Sequence, residues 1–206
     1  IDRGFDGSDI TVDAMGTQIS LRLSIPGKGG VINALAAIAA AIALDIDLSV
    51  IVQGIEALSP VQGRGNTLHL ERGIRLIDDS YNASPSSVMA ALDSLKHARP
   101  PRTAVLADML ELGDDGPDYH REVGRHLSGL GIERVIAVGE LSAHISDNCV
   151  SHALHFANTD QLLADCPEFF QDETILVKGS RGMRLDRFVT LMTASACLLY
   201  TSPSPR

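Results

Sequence analysis

Cysteine, basic charge and long apolar runs are all scarce in this sequence. The 206 residues include three cysteines, Cys149, Cys166 and Cys197, which show neither a pairing pattern nor metal-ligand spacing. This excludes a disulfide-stapled secreted domain and favours a reducing, cytoplasmic location. The 26 acidic residues outnumber 17 basic ones, for a net charge of −9. A protein that tracks nucleic-acid phosphates normally carries a basic stripe, so we expect no nucleic-acid partner.

The most apolar run covers residues 31–44 and is rich in alanine. It is shorter than the roughly 20 residues needed to cross a bilayer, so it predicts a buried helix and no membrane partner. The chain has no signal peptide and begins with Ile1 rather than methionine. We therefore expect it to start inside a longer reading frame.

The first 62 residues show no repeating plan. Polar and apolar residues alternate over 17–25, which predicts a strand with one solvent-exposed face, paired in a hairpin with residues 10–12. The sequence PGKGG should then break the chain before two helices, over 31–44 and 48–58. We interpret residues 1–62 as the end of a domain whose beginning is missing.

From Gly73 onward, short apolar runs alternate strictly with amphipathic segments. The predicted strands cover five ranges: 74–77, 103–107, 134–138, 153–156 and 174–177. Apolar residues at helical spacing follow, notably over 85–98 and from Leu185 to Met192. This plan predicts an α/β fold over residues 63–193, with a Rossmann-like, mostly parallel sheet and helices on both faces. Residues 194–206 are predicted to be an unrelated or disordered tail.

The most informative stretch is residues 63–85, GRGNTLHLERGIRLIDDSYNASP. Its short apolar strand is followed by five polar residues: Asp78, Asp79, Ser80, Tyr81 and Asn82. Open α/β folds bind their ligands at the carboxyl edge of the sheet, so this run predicts a site. The alternative is only a capped helix start, with Ser84 as N-cap and Pro85 at the first helical position.

Six motifs occur in the order and spacing of one enzyme family: GRGN at Gly63, LIDDSYNASP from Leu76, LADMLELG from Leu106, His120 in DYHREVG, AVGE from Ala137 and VKGSRGMR from Val177. Over roughly residues 26–192 the chain resembles the Mur ligases, and among them the branch that adds D-alanyl-D-alanine to UDP-N-acetylmuramoyl-tripeptide. The resemblance implies a cytoplasmic enzyme of three domains that makes an amide bond in peptidoglycan precursor synthesis, through an acyl phosphate and with ATP and Mg²⁺. We expect it to be a monomer. Residues 1–62 would then be the end of its central ATPase domain.

The sequence contains no G-x-x-x-x-G-K-[ST] phosphate-binding loop. The resemblance places that loop and the Mg²⁺ ligands upstream of Ile1, so it implies no metal ligand in this chain. We therefore expect the 206-residue chain alone to be inactive.

For the nucleotide, the resemblance implies three contacts in this chain. Asn33 would open the alanine-rich helix and approach the nucleotide, Arg64 would reach the ATP phosphates, and Asp79 would accept hydrogen bonds from the ribose hydroxyls. A fixed guanidinium fork suits the role of Arg64. The alternative for Arg64 is a solvated turn.

For the incoming dipeptide, the resemblance points to four residues: Asn82, Glu111, Lys178 and Arg181. Lys178, which together with Arg64 would be catalytic, could hold a carboxylate of D-alanyl-D-alanine, or it could be a solvated lysine at a strand end. We interpret His120 as a structural histidine, satisfied by Glu111 or by a backbone carbonyl. The family usually reads P-G-x-His-Asn-V-x-Asn where this chain has Gly29 and Gly30.

Two other functions remain open at this point. One is a non-catalytic nucleotide-binding or interaction module that uses its Rossmann-like fold only for recognition. The other is a sister amide ligase such as a folylpolyglutamate synthase. The motif DDSYNASP argues against the second.

Overall fold

The computed structural model describes residues 1–149, 151–165 and 170–198. The chain divides into two compact units, Ile1–Val61 and Gln62–Arg206. The six motifs that carry the resemblance all begin in the second unit. The candidate site described below is therefore built from residues of that unit.

The first unit is a β-hairpin packed against two helices. Strands β1 (Ser8–Ala14) and β2 (Thr17–Leu23) pair antiparallel, which confirms the predicted hairpin. Helices α1 (Gly27–Ala43) and α2 (Leu48–Glu56) follow. Their apolar residues meet those of β2 in one small core: Leu21, Leu23, Ala34, Ile38, Ile51 and Ile55.

Helix α1 starts earlier and is more exposed than the sequence predicts. PGKGG does not break the chain, because Pro26 precedes the helix in an extended conformation and Gly27 follows with a φ of 77°. Only one stripe of the helix is buried: Gly30, Ala34 and Ile38. The prediction of a buried helix is wrong, since a hairpin and one short helix cover only one face. Leu35, outside that stripe, is 41% exposed.

The second unit is built on a six-stranded sheet. Its strands are β3 (Asn66–His69), β4 (Arg75–Asp79), β5 (Arg102–Ala107), β6 (Arg134–Val138), β7 (His152–Phe156) and β8 (Thr174–Lys178). They lie in the order β3-β4-β8-β5-β6-β7, and every pair except β3 with β4 is parallel. The five predicted strands and the mostly parallel sheet are confirmed. The short edge strand β3 was not predicted.

Helices cover both faces of this sheet, as the alternation of strands and helices predicts. They are α3 (Pro85–Leu95), α4 (Gly116–Leu127), α5 (Ala143–Ser146), α6 (Thr159–Ala164) and α7 (Asp186–Leu198). Successive strand residues point to opposite faces, and Leu76 and Ile77 of β4 are both fully buried, so both faces of this strand are covered.

The strand order, together with the parallel pairing, sets the carboxyl ends of β4, β8 and β5 side by side.

Helix α7 continues past the predicted end of the domain. It includes residues 194–198, the first part of the predicted tail. Residues 199–206, and Cys166, lie outside the described residues. Among the helices of the described ranges, none has the length and apolar character needed to span a bilayer.

Candidate functional site

The candidate site lies where β4 and β8 end. The register of these parallel neighbours pairs Asp79, the last residue of β4, with Lys178, the last residue of β8. The Lys178 ammonium donates a 2.6 Å hydrogen bond to the Asp79 carboxylate and a 3.0 Å hydrogen bond to the backbone carbonyl of Asn82. Sheet register thus brings three of the predicted site residues together.

Lys178 is almost fully buried, with 4% of its surface exposed. The alternative of a solvated lysine at a strand end is therefore wrong. A buried ammonium requires a charged or hydrogen-bonded partner, which Asp79 and Asn82 supply. Because an ammonium group has three hydrogens, these two bonds leave one for a ligand. The substrate contact proposed for Lys178 can use only that hydrogen.

Asp79 experiences opposing electrostatic effects. Burial raises the pKa of Asp79 above its usual value, and the Lys178 ammonium opposes that rise by stabilising the carboxylate. The bond from Lys178 uses only Oδ2 of Asp79, and the side chain keeps 23% of its surface exposed. Asp79 can therefore accept a further hydrogen bond through Oδ1, as a contact with ribose hydroxyls requires.

Asp78 organises the backbone rather than facing a ligand. Its buried carboxylate accepts hydrogen bonds from the backbone N–H of Gly63 at 3.0 Å and from the backbone N–H and hydroxyl of Ser80 at 3.2 and 2.6 Å. Gly63 has a φ of 78°, and a Cβ there would lie 3.1 Å from the Cβ of Tyr81. Asp78 therefore fastens the loop that carries Arg64 to the turn after β4.

Two arginines meet on the ring of Tyr81. The guanidinium carbon of Arg64 lies 4.2 Å from the ring centroid, and that of Arg181 lies 4.9 Å from it. Both distances fall within the roughly 6 Å range of cation–π contacts. Arg181 opens a short 3-10 turn, Arg181–Met183, that follows β8. The structure thus gathers both predicted arginines beside the ends of β4 and β8.

The loop after β5 is tied to the loop after β8. The backbone N–H of Leu110 donates to the hydroxyl of Ser180 at 2.9 Å, and the backbone N–H of Ser180 donates to the carbonyl of Asp108 at 3.1 Å. Glu111, the next residue on the β5 loop, is exposed and has a φ of 64°. Glu111 therefore projects from a loop whose backbone is fixed to the loop carrying Arg181.

His120 holds the β5 loop from the side of α4. It is fully buried; its Nε2 accepts from the backbone N–H of Met109 at 3.0 Å, and its Nδ1 lies 2.7 Å from the carbonyl of Gly116. These partners require a neutral ring with the proton on Nδ1. Burial lowers the pKa of His120, which favours that neutral form. The structural interpretation of His120 fits, with a backbone carbonyl as its partner rather than Glu111.

The turn after β4 is also a capped helix start. The hydroxyl of Ser84 accepts a hydrogen bond from the backbone N–H of Ser87 at 3.4 Å, and the hydroxyl of Ser87 accepts one from the backbone N–H of Ser84 at 2.9 Å. Pro85 occupies the first turn of α3. The two interpretations of residues 63–85 are therefore compatible. The cap begins the helix, and the residues just before it form the polar edge. The side chain of Asn82 is exposed at this edge.

Asn33 belongs to the first unit and lies inside α1 rather than at its start, where it is exposed. The glycines before it differ from each other. A Cβ at Gly30 would lie 2.8 Å from the carbonyl oxygen of Ile25, whereas Gly29 has open space around it. The backbone of Ile25 therefore leaves no room for a side chain at position 30.

The roles of Tyr81, Asp78 and Ser180 are not predicted by the sequence. Their roles depend on which loops meet in space. The dense polar run before the helix cap is the only sequence signal for Asp78 and Tyr81, and Ser180 is indicated only by its place in the motif that follows β8. Within the described ranges, no three His, Cys, Asp or Glu residues come together as a metal site. We assign no Mg²⁺ ligand to these residues.

The Mur ligase glutamate ligase domain matches residues 63–181, which is more than half of the chain. UDP-N-acetylmuramoyl-tripeptide--D-alanyl-D-alanine ligases of Escherichia coli and Bacillus subtilis are each 33% identical to the chain and cover 89% of it. The chain spans only 41% and 42% of the lengths of these relatives.

The crystal structure of MurF from Acinetobacter baumannii has a TM-score of 0.81 with this chain at 28% identity. It covers 91% of this chain, which in turn covers 42% of it. The motif order, the sheet and these matches agree, and the chain belongs to the Mur ligase family.

Proposed function

We propose that the protein containing this chain adds D-alanyl-D-alanine to UDP-N-acetylmuramoyl-tripeptide in an ATP-dependent reaction. The observation that supports this most directly is the convergence of Arg64, Arg181 and the Asp79–Lys178 pair at one edge of a parallel sheet. The relatives from Escherichia coli and Bacillus subtilis carry the name of that activity. The proposal includes a cytoplasmic location, because the reaction consumes ATP and a nucleotide-linked substrate, and it includes a monomeric enzyme as a separate expectation.

In the proposed reaction, the terminal carboxylate of the tripeptide takes the γ-phosphoryl group from ATP and ADP leaves. The amine of D-alanyl-D-alanine then attacks the acyl carbon, phosphate leaves and the amine loses a proton. The chemistry depends on positioning and on cations beside the phosphoryl group. Mg²⁺ would neutralise phosphate charge from ligands upstream of Ile1.

The nucleotide side of the site has two candidate groups in the second unit. Arg64 is exposed, so its guanidinium is available to phosphate oxygens. Its loop is already held by the hydrogen bond from Gly63 to Asp78, so binding a phosphate would not carry the entropic cost of ordering that loop. Asp79 keeps one accepting oxygen for ribose hydroxyls. Asn33, a residue of the first unit, is the third nucleotide contact that we propose.

The dipeptide side would use groups on three loops. Arg181 and Lys178 offer positive charge to a carboxylate, and Glu111 and the side chain of Asn82 are exposed for contact with an ammonium or an amide. The tie between the β5 and β8 loops fixes Glu111 relative to Arg181. We infer that this edge orients the attacking amine.

A matched pair of acceptors tests the function. The complete protein that contains this chain would be incubated with ATP, Mg²⁺, UDP-N-acetylmuramoyl-tripeptide and either D-alanyl-D-alanine or L-glutamate. A parallel reaction would contain a folate in place of the tripeptide, and the products of both reactions would be identified by mass spectrometry. We expect a pentapeptide product only with D-alanyl-D-alanine. Glutamate addition to a folate substrate, or ATP binding without any ligation, would instead support the sister ligase or the non-catalytic module.

A further inference from the structure

The ring of Tyr81 fixes two positive charges that come from opposite ends of the second unit's sequence. Arg64 and Arg181 contact the same ring, so their guanidinium carbons are no farther apart than the two centroid distances of 4.2 and 4.9 Å added together. Two guanidinium groups within that upper limit can both reach one multi-oxygen anion beside the ring.

Backbone contacts fix the positions of Tyr81 and of the residues next to Arg64 and Arg181. The backbone N–H of Tyr81 donates to the carbonyl of Gly63 at 2.9 Å, which sets the residue before Arg64 against the ring. On the other side, Arg181 begins a 3-10 turn, and a Cβ at Gly182 would lie 2.8 Å from a methyl carbon of Leu110. Neither arginine therefore depends on a long flexible loop for its position.

Over the ranges that the structure describes, neither Arg64 nor Arg181 forms a salt bridge with a carboxylate, and both are exposed. Arg64 does act electrostatically on the Asp79 carboxylate, but that carboxylate already pairs with Lys178, so the three cations are opposed by a single negative charge. Like charges repel, and a cation–π contact returns only about 0.5–1 kcal/mol at an exposed site. An anion that both guanidinium groups contact would relieve the repulsion and gain two charge-assisted contacts.

We propose that Tyr81 is a positioning residue that presents Arg64 and Arg181 together to one phosphate-type anion. This inference rests on the proposed function and deepens it, because it moves Arg181 from the dipeptide to the phosphoryl group. A phosphate-type group is favoured over a dipeptide carboxylate because two guanidinium charges match the charge and the several oxygens of a phosphoryl group better than a single negative charge.

Binding to the 206-residue chain tests this without requiring ligation. The side-chain Nε–Hε signals of Arg64 and Arg181 would be followed by NMR while inorganic tripolyphosphate is added at about 0.15 M ionic strength, where loose surface binding is screened. We expect both signals to move with one common Kd, in the range of about millimolar. The signal of exposed Arg99, at the other end of the sheet, should not move.

A parallel titration with D-alanyl-D-alanine separates the two sources of negative charge. We expect it not to move the two arginine signals together. If the dipeptide shifts Arg181 while tripolyphosphate shifts only Arg64, the shared site is wrong, even where the complete protein ligates normally. Movement of all three arginine signals with one Kd would mean general charge attraction and would also overturn the proposal.

Variants then test the ring. Arg181→Gln should weaken tripolyphosphate binding at Arg64 by about tenfold, since one charge-assisted contact is lost. In Tyr81→Leu, the Arg64 and Arg181 signals should no longer move with one common Kd. Tyr81→Phe should keep the common Kd, because the hydroxyl of Tyr81 makes no hydrogen bond to the described residues. Tyr81 is 39% exposed, so these variants should fold. Unchanged coupling in folded Tyr81→Leu would contradict the role given to the ring.

Discussion

Lys178 and Asp79 lie 99 residues apart in the sequence and 2.6 Å apart in the structure, as the last residues of two neighbouring parallel strands. Lys178 is buried, so the pair is part of the packed edge of the sheet and not a solvent-exposed ion pair. Because Arg64 and Arg181 flank the same edge, this ion pair is part of the platform on which the site is built.

Replacing Lys178 by methionine should lower the free energy of unfolding by about 1–3 kcal/mol. The change leaves the partly buried Asp79 carboxylate without its ammonium partner, and the remaining exposure of Asp79 keeps the loss below that of a fully buried pair. Urea unfolding measures the effect. In the double variant Lys178→Met with Asp79→Asn, the loss should be smaller than the sum of the two single losses. Additive losses would mean that the pair contributes no coupling.

Replacing Gly63 by alanine should destabilise the second unit by about 1 kcal/mol or more. The new Cβ would meet Tyr81 at 3.1 Å, in a backbone conformation that L-residues adopt poorly. Gly129→Ala is the matched control, because no atom lies within 4 Å of its added Cβ. Thermal unfolding compares the two. Equal midpoints would show that the contact between Gly63 and Tyr81 is not tight.

The penalty for replacing His120 by leucine should depend on pH. The change leaves the backbone N–H of Met109 without its acceptor and removes the ring's bond to the Gly116 carbonyl, at a cost of about 1–3 kcal/mol near neutral pH. Since burial lowers the pKa of His120 below 6.5 in the folded state, the unfolded chain binds the proton first as the pH falls. The parent therefore loses stability below pH 6.5, and the penalty shrinks.

Urea unfolding of the parent and of His120→Leu at pH 7 and pH 5 measures this change. Exposed His97, replaced by leucine, is the control and should change the unfolding free energy by no more than about 0.5 kcal/mol. A penalty for His120→Leu that stays the same at both pH values would contradict a buried neutral ring.

Hydrogen exchange should distinguish the two units. Helix α1 leaves Ile32 and Leu35 exposed and buries a single stripe, whereas the central strands of the second unit are covered on both faces. Backbone amides of residues 1–60 should therefore exchange faster than those of β4, β5 and β8. Slow and uniform protection throughout the chain would show that the first unit is as stable as the second.

The parallel strands could be predicted because each is a short apolar run bounded by polar residues, and five such runs fit only a few topologies. Strand β3 could not, since Asn66–His69 holds one aliphatic side chain and forms only an edge. Glycines usually break a helix, but those of PGKGG lie inside α1, because Gly30 packs against Ile25 at the start of that helix.

The site was predictable as a location but not as a set of contacts. A polar run after a strand indicates a sheet edge, whichever residues face the ligand. The partners of Lys178, the stacking of Arg64 and Arg181 on Tyr81, and the backbone bonds of Asp78 all depend on strand order. The position of β8 between β4 and β5 has no local signal in the sequence.

The most direct test of the whole account is the ATP dependence of ligation by the complete protein, compared between Arg64→Gln and Arg99→Gln. Both changes remove one exposed arginine charge, at opposite ends of the sheet. We predict that Arg64→Gln lowers kcat/KM for ATP by at least about tenfold, through loss of a charge-assisted phosphate contact, and that Arg99→Gln leaves it unchanged. Equal activity of the two variants at limiting ATP would contradict the placement of the nucleotide at this edge.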